Sequence, residues 1–372
     1  MKIGGGVVCG SPRAAVLPSL LLGRRGVTIR CSSSSSTPDH VSFIKDVAAT
    51  EPPQHLSNLL KMLKTRGESI ISPGAKQGII PLAIPLAKNS SGTITALLRW
   101  PTAPAGMEMP VVDVNRNGVW LLAKNVDQFI HRLLVEEDAK GSGEQNDELF
   151  LAAADAGQKL YERGDLAESQ IKNIDGYLLK KVGIFPDIIE RKILRHFEEG
   201  DLVSALVTGE FYTKKEHFPG FARPYVFNAE VLLKYVGNFF HHSKNALAEN
   251  VPKESVLSSC FRVGRKTEAK DAARGALKSP WWTLGCKYEE VANIAQWEDE
   301  QIEYLKEKVT EEGKLEDLKK GKAPAQVALD QAAFLLDLAS VDGTWDMSVE
   351  RIAQCYEEAG LQEVARFVLF RD

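Results

Sequence analysis

Residues 263–280 read VGRKTEAKDAARGALKSP. The stretch sets a glycine, Gly264, five positions before a small residue, Ala269, and closes on Pro280. The same pairing recurs at Gly164 with Ser169, Gly200 with Ala205 and Gly360 with Ala365. A glycine can take the left-handed conformation that ends one helix without strain. A small residue soon after it lets the next helix approach closely. The interval from Gly164 to Gly200 is 36 residues and that from Gly200 to Gly264 is 64; taking out the 28 residues 235–262 reduces the second to 36 as well. A fixed period in this range is the signature of stacked helical hairpins. Neighbouring hairpins of such an array cover each other's apolar faces.

Outward from this stretch, the helical patterns pair 148–163 with 165–179, 187–199 with 201–212, 225–234 with 267–277, 288–311 with 325–338, and 348–359 with 362–370. The segment 235–262 (YVGNFFHHSKNALAENVPKESVLSSCFR) has little periodicity and interrupts one of these pairs. It reads either as a surface insertion or as a retained intron of 28 codons, because its ends can be encoded as an in-phase splice donor and acceptor.

The glycine, small-residue and proline positions of the third unit (Gly264, Ala269, Ala276, Leu277, Pro280) resemble the tetratricopeptide repeat family. The likeness is degenerate: Ala273 stands where the family has an aromatic residue, and Gly275 weakens the second helix. It implies a hairpin architecture over roughly half the chain and no particular ligand clamp.

Before residue 139 the period changes. Leu56, Leu59, Leu60 and Leu63 fit a short amphipathic helix. Residues 79–86 and 93–100 read as strands, the first as an edge strand because it carries Pro81 and Pro85. Residues 111–114 and 119–122 flank Asn115-Arg116-Asn117-Gly118, a hairpin turn. A helix follows over 125–137, with Val126, Phe129, Ile130, Leu133 and Leu134 on one face. The expected organisation is a leader at 1–31, a flexible segment at 32–55, a small α+β domain at 56–138, a linker at 139–147 and a helical-hairpin domain at 148–372. The fold class is mainly α.

Residues 1–31 hold five basic residues and no acid, and run into Ser32–Ser36. An acid-free, Arg-bearing, Ser-rich leader reads as an organelle transit peptide. The plastid is the first reading, since Val27-Thr28-Ile29-Arg30-Cys31 resembles a plastid processing site, and the mitochondrion the second. Removing five of 46 basic residues leaves 41 against 50 acidic ones, a net charge of −9 in place of −4. Such a chain is a poor general polyanion binder. Cys260, Cys286 and Cys355 would remain, too scattered for a disulfide framework.

Chemical motifs fail their tests. Asp113, Asn115, Asn117 and Gly118 start like a calcium loop, but Lys124 stands at the twelfth position, where a bidentate Glu is needed. His241, His242, Cys260 and Cys286 lack zinc-ligand spacing. Cys286 beside Lys287 could form an activated thiol, or simply be buried. No cofactor or metal is expected.

The binding candidates are two groups. Phe211, Tyr212, Phe218, Phe221, Arg223 and Tyr225 fall at an inter-helix loop, where such rings form either a recognition surface or a junction. Arg265, Lys270 and Arg274 form a basic stripe near Trp281 and Trp282. A helical array favours binding over catalysis. The expected role is therefore a plastid protein-binding scaffold or assembly factor, in the stroma or at the stromal face of the thylakoid, with peripheral membrane contact allowed. The alternatives are an RNA-binding helical repeat, using the basic stripe, and an enzyme with a site around Asp113, Arg116 and Trp120.

Overall fold

Alternating branched and apolar residues build one small sheet, around which the helices are laid. The computed structural model describes residues 39–141, 144–246, 256–297 and 299–372, with backbone alone for 144–146, 155, 235–246 and 256–264. The leader expected at 1–31 lies outside the described residues. After α1 (His40–Asp46) and α2 (Leu56–Thr65) come β1 (Ser69–Ile70), β2 (Ala83–Lys88), β3 (Ile94–Leu98), β4 (Val111–Asn115) and β5 (Gly118–Ala123). The five strands pair antiparallel in that order. Asn125 caps α3 (Val126–Asp138) by accepting the Gln128 N–H.

The remainder is helical: α4 (Glu144–Leu160), α5 (Asp165–Glu168), α6 (Ile174–Tyr177), a π-helical turn at Leu178–Val182, α7 (Pro186–Glu198), α8 (Leu202–Tyr212), α9 (Arg223–Ala246) and α10 (Val256–Ala276). A 3₁₀ turn at Trp281–Thr283 leads to α11 (Tyr288–Ala295), α12 (Glu300–Lys308), α13 (Glu311–Lys319), α14 (Pro324–Asp342), α15 (Trp345–Glu358) and α16 (Gln362–Leu369). The protein is thus mainly helical with a small N-terminal five-stranded sheet. Among the described residues no helix is long and apolar enough to cross a membrane.

Several expectations are corrected. Residues 40–46, placed in the flexible segment, form α1, because Phe43 and Ile44 are buried in the core, with Phe43 against Phe367 and Phe370, and the His40 ring donates a hydrogen bond to Pro85 O of β2. β2, expected at an edge, lies between β1 and β3. Pro85 is tolerated there because the register shifts between Pro85 and Ala87, so the missing N–H falls at an irregularity rather than in the ladder. Residues 165–179 are not one helix. Asn173 accepts the Gly176 N–H and Ser169 bonds back to Leu166 O, local side-chain bonds that compete with a continuous helix. Residues 288–311 break after Ala295, where Gln296 turns left-handed at φ 51°.

The glycine period also holds only in part. Gly164, Gly200 and Gly360 take positive φ at helix boundaries, whereas Gly264 lies inside α10. Helices α9 and α10 enter the segment 235–262 from both sides, and residues 247–255 lie outside the described residues.

Consecutive helices from α7 to α11 each pack on the next, as do α14, α15 and α16, while α4 packs on α2 and α3. The core runs from Phe43 to Val368, and Thr37–Asp372 packs as one unit across the expected linker. Each large apolar side chain buried in it contributes about 1.5–3 kcal/mol. Two joints close the chain on itself. At the first, Asn117 Nδ2 donates to Ser340 O and Val341 O at 2.9 Å each, and Arg116 donates to Asp342 O at 3.0 Å. The tip of the β4–β5 hairpin therefore caps the last carbonyls of α14, which have no intrahelical donors. Gly118 (φ 148°) is needed there, since a Cβ would lie 2.1 Å from Trp282 O. At the second joint, Phe43 meets Phe367 and Phe370 edge-on, and Asp372 N donates to Gly74 O. Lys76, fully buried there, donates to Pro81 O at 3.2 Å and Phe367 O at 2.8 Å.

Burial, with a smaller push from the charge of Arg371, holds the Lys76 amine well below the ordinary lysine range. The unfolded chain then binds this proton more tightly than the folded one. Stability must rise with pH from the lowered value up to about 10.4, the free lysine value. Denaturant melts at pH 7 and pH 10 should show a gain for the native chain that Lys76→Met lacks; equal gains would refute the assignment.

Candidate functional site

The residues that sequence reasoning offered as a recognition surface are mostly inside. The chain leaves α8, turns through 213–222 and enters α9 against β5. Tyr212, Phe218 and Phe221 are buried there. The Tyr212 ring meets Phe218 and Phe227 edge-on at 5.4 and 6.1 Å. Phe221 meets Trp100 at 6.0 Å, and Trp100 meets Trp282 at 5.0 Å. Trp281 is also buried, donating Nε1–H to Leu277 O at 2.9 Å and its backbone N–H to Asp337 at 2.7 Å. These aromatic side chains fill the junction between hairpins and sheet. Their bodies remove apolar area from water while their polar tips find partners. Phe211 alone among these rings is exposed, with the His217 ring 4.2 Å away and the Lys214 ammonium 5.3 Å from its centre. Tyr225 is half-buried.

Arg223 is the pivot of the junction. It forms a two-pronged bond to Glu190 of α7, at 2.9 Å on each prong, and reaches Glu230 at 3.2 Å. The Tyr212 hydroxyl donates to the same Glu190 at 3.0 Å. The guanidinium lies 5.2 Å from the centres of both the Trp120 and Phe227 rings. Burial pushes the Glu190 carboxyl above its usual range against the pull of Arg223, and pushes the Tyr212 hydroxyl well up. Glu190 escaped sequence reasoning. Its only signal was a carboxylate among the core-facing Ile188, Ile189 and Ile193 of α7.

The basic stripe is engaged locally. Arg265 pairs with Glu268, and Lys270 bonds to Gln296. Arg274 donates to Ala295 O at 3.1 Å, capping the end of α11, and lies over Trp297. The stripe therefore ties α10 to α11.

The residues suggested for catalysis do not converge. Asp113 and Trp120 are cross-strand neighbours on β4 and β5, while Arg116 sits at the hairpin tip and donates to Asp342 O of α14. Asp113 accepts the Thr95 hydroxyl at 3.2 Å, and burial pushes its carboxyl up. Burial raises the Cys286 thiol to about 12, the opposite of activation by Lys287. The zinc suggestion involved His241, His242 and Cys260, whose side chains lie outside the described residues. Among the described residues no group of three His, Cys, Asp or Glu side chains could hold a metal.

Two open grooves of about 880 and 850 Å³ are formed by residues between 138 and 175. The first is lined by Asp138, Gly164, Ile171, Asn173 and Asp175, the second by Phe150, Leu151, Ala154, Tyr161 and Arg163. The carboxylates of the first groove are already committed. Asp138 accepts the Tyr161 hydroxyl at 2.6 Å and the Gly164 N–H at 3.0 Å, and Asp175 holds Arg191 at 2.7 Å. The grooves offer mixed apolar and polar walls, suited to binding a chain segment.

A five-stranded antiparallel sheet near the N-terminus followed by a long run of helices places the chain in the class of mainly helical proteins with a small β unit. The chain belongs to the PAB family: residues 38–181 match the PAB N-terminal family, residues 186–245 and 255–298 the PAB middle domain, and residues 302–370 the PAB C-terminal domain. It is 62% identical over 363 residues to the Arabidopsis thaliana protein named Protein IN CHLOROPLAST ATPASE BIOGENESIS, chloroplastic, covering 98% of this chain and 100% of that one. No solved structure matches. The chain is a chloroplast assembly or biogenesis factor. The family divides near 181–186 and 298–302, and its middle domain leaves out 246–254, which fall inside the segment 235–262.

Removing one partner of the Glu190–Arg223 pair leaves the other charge buried. Glu190→Ala and Arg223→Ala should each cost about 3–5 kcal/mol, and the double variant clearly less than their sum. Additive losses in a denaturant double-mutant cycle would show the pair to be energetically idle.

Proposed function

We propose that this chain binds a protein client during the biogenesis of the chloroplast ATPase, the process named for its Arabidopsis relative. The observation that carries the reading is the 62% identity across the whole of that relative. The chain acts by holding: it carries two open grooves, and the carboxylates of the first are tied up by Tyr161 and Arg191. The client segment would lie along these grooves, with Leu151 and Ile171 as apolar contacts. Phe211, Tyr225, Arg265, Lys270 and Arg274, which keep some exposure, are further contact candidates. The stacking of consecutive helices from α7 to α11 supports a repeat-like, tetratricopeptide-related arrangement. The place of action is the stroma or the stromal face of the thylakoid, reached without a spanning helix among the described residues.

Affinity purification of the chain from intact chloroplasts tests this. Stoichiometric recovery of chloroplast ATPase subunits is expected, reduced at least tenfold by Ile171→Glu with Leu151→Glu. Recovery of RNA, or of background proteins alone, would overturn the proposal.

A further inference from the structure

Helix α8 (LVSALVTGEFY) is apolar on both sides. Ala205, Leu206, Gly209 and Tyr212 are buried against its neighbours. The opposite face carries Val203, Val207 and Phe211, exposed at 69%, 60% and 37%. A helix apolar all round belongs in an interior, so an uncovered face of this kind marks a contact surface.

The face has an internal symmetry. Val203 and Phe211 stand four residues either side of Val207, on one stripe. Beyond Val203 lie the exposed carboxylates Glu198, Glu199 and Asp201; beyond Phe211 lie the exposed ammonium groups Lys214 and Lys215, followed by the exposed carboxylate of Glu216. Asp201 is fixed at that end by accepting the Ser204 N–H at 3.0 Å, and Lys214 is held beside the Phe211 ring. The stripe is therefore negative at one end, net positive at the other, where two ammonium groups outnumber Glu216, and apolar between. Glu210, the one charge within it, falls opposite Ser204 when the stripe is reversed.

We propose that this face docks on α8 of a second copy of the chain, antiparallel about a two-fold axis at Val207. A two-fold contact requires a self-complementary patch. Reversal supplies it: Val207 meets Val207, Val203 meets Phe211, and the acidic end of each copy meets the basic end of the other. The helix spans only about 16 Å, so the ridge pair falls below the roughly 1,200–2,000 Å² of a standard stable interface. The dimer is thus weak, forms with rising concentration and loosens with salt.

Sedimentation velocity on the purified chain, from about 1 to 100 μM, tests it in low and high salt. The native chain should shift from monomer to dimer, and V207D, which sets two carboxylates face to face, should weaken association at least tenfold. A charge exchange guards against misfolding, since it alters only exposed residues. K214E/K215E and E198K/E199K should each fail to self-associate, yet pair when mixed. A chain that stays monomeric at every concentration, a dimer indifferent to V207D, or charge variants that do not rescue each other would overturn the proposal. So would a monomeric chain whose V207D variant loses recovery of a chloroplast protein, for the face would then belong to that protein.

Discussion

The contact on which the rest of the structure depends is the one between the β4–β5 hairpin tip and the end of α14. A helix leaves its last carbonyls without donors, and a buried carbonyl without a donor is costly. Here the missing donors come from another part of the chain: Asn117 serves Ser340 and Val341, and Arg116 serves Asp342. The exchange runs both ways, since Trp345 at the start of α15 donates its indole N–H to Arg116 O at 2.8 Å. Gly118 lets the strand pass against the Trp282 carbonyl, so the 3₁₀ turn joins the same contact. Sheet, α14, α15 and the Trp281–Thr283 turn are fixed together through three residues of one turn, Arg116, Asn117 and Gly118.

From that joint the remaining packing follows. With α15 fixed, α16 is carried back across the N-terminal segment, where Phe43 and Lys76 receive it. With the 3₁₀ turn fixed, Trp282 stands against Trp100, and Trp281 is tied to Asp337 of α14. The Glu190–Arg223 cluster closes the other side, tying α7 and α9 to Trp120 of β5. Asp337 is half-buried and accepts the Trp281 backbone N–H at 2.7 Å, so this carboxylate serves the joint rather than a site. The chemistry that the chain concentrates in its interior is thus structural. The open grooves and the outer face of α8 are the surfaces to which the proposals above assign partners.

Much of the element order was legible. The Asn115–Gly118 turn, the strands beside it, the amphipathic helix after Asn125 and the pairs 187–199 with 201–212 and 348–359 with 362–370 all rest on local rules, namely period, turn residues and caps. Failures came where a local rule met a distant partner. Pro85 marks an edge strand only if no bulge absorbs it. His40, Phe43 and Ile44 look like part of a flexible segment until the core that buries them is present. Gly264 resembles a cap because its neighbours do, yet α10 continues through it.

The same division holds for the candidate sites. Sequence alone determined that the chain is mainly helical with a small β-rich start, and that its motifs lack the spacing of metal or nucleophile chemistry. It also located the aromatic cluster at 211–225. Only the tertiary structure decided that Tyr212, Phe218, Phe221, Trp281 and Trp282 face inward, that Glu190 answers Arg223, and that Val203, Val207 and Phe211 are left uncovered. The reason is physical. A ring beside glycine and proline carries the same local signal whether it faces water or a neighbouring sheet, because burial is a property of what packs against it.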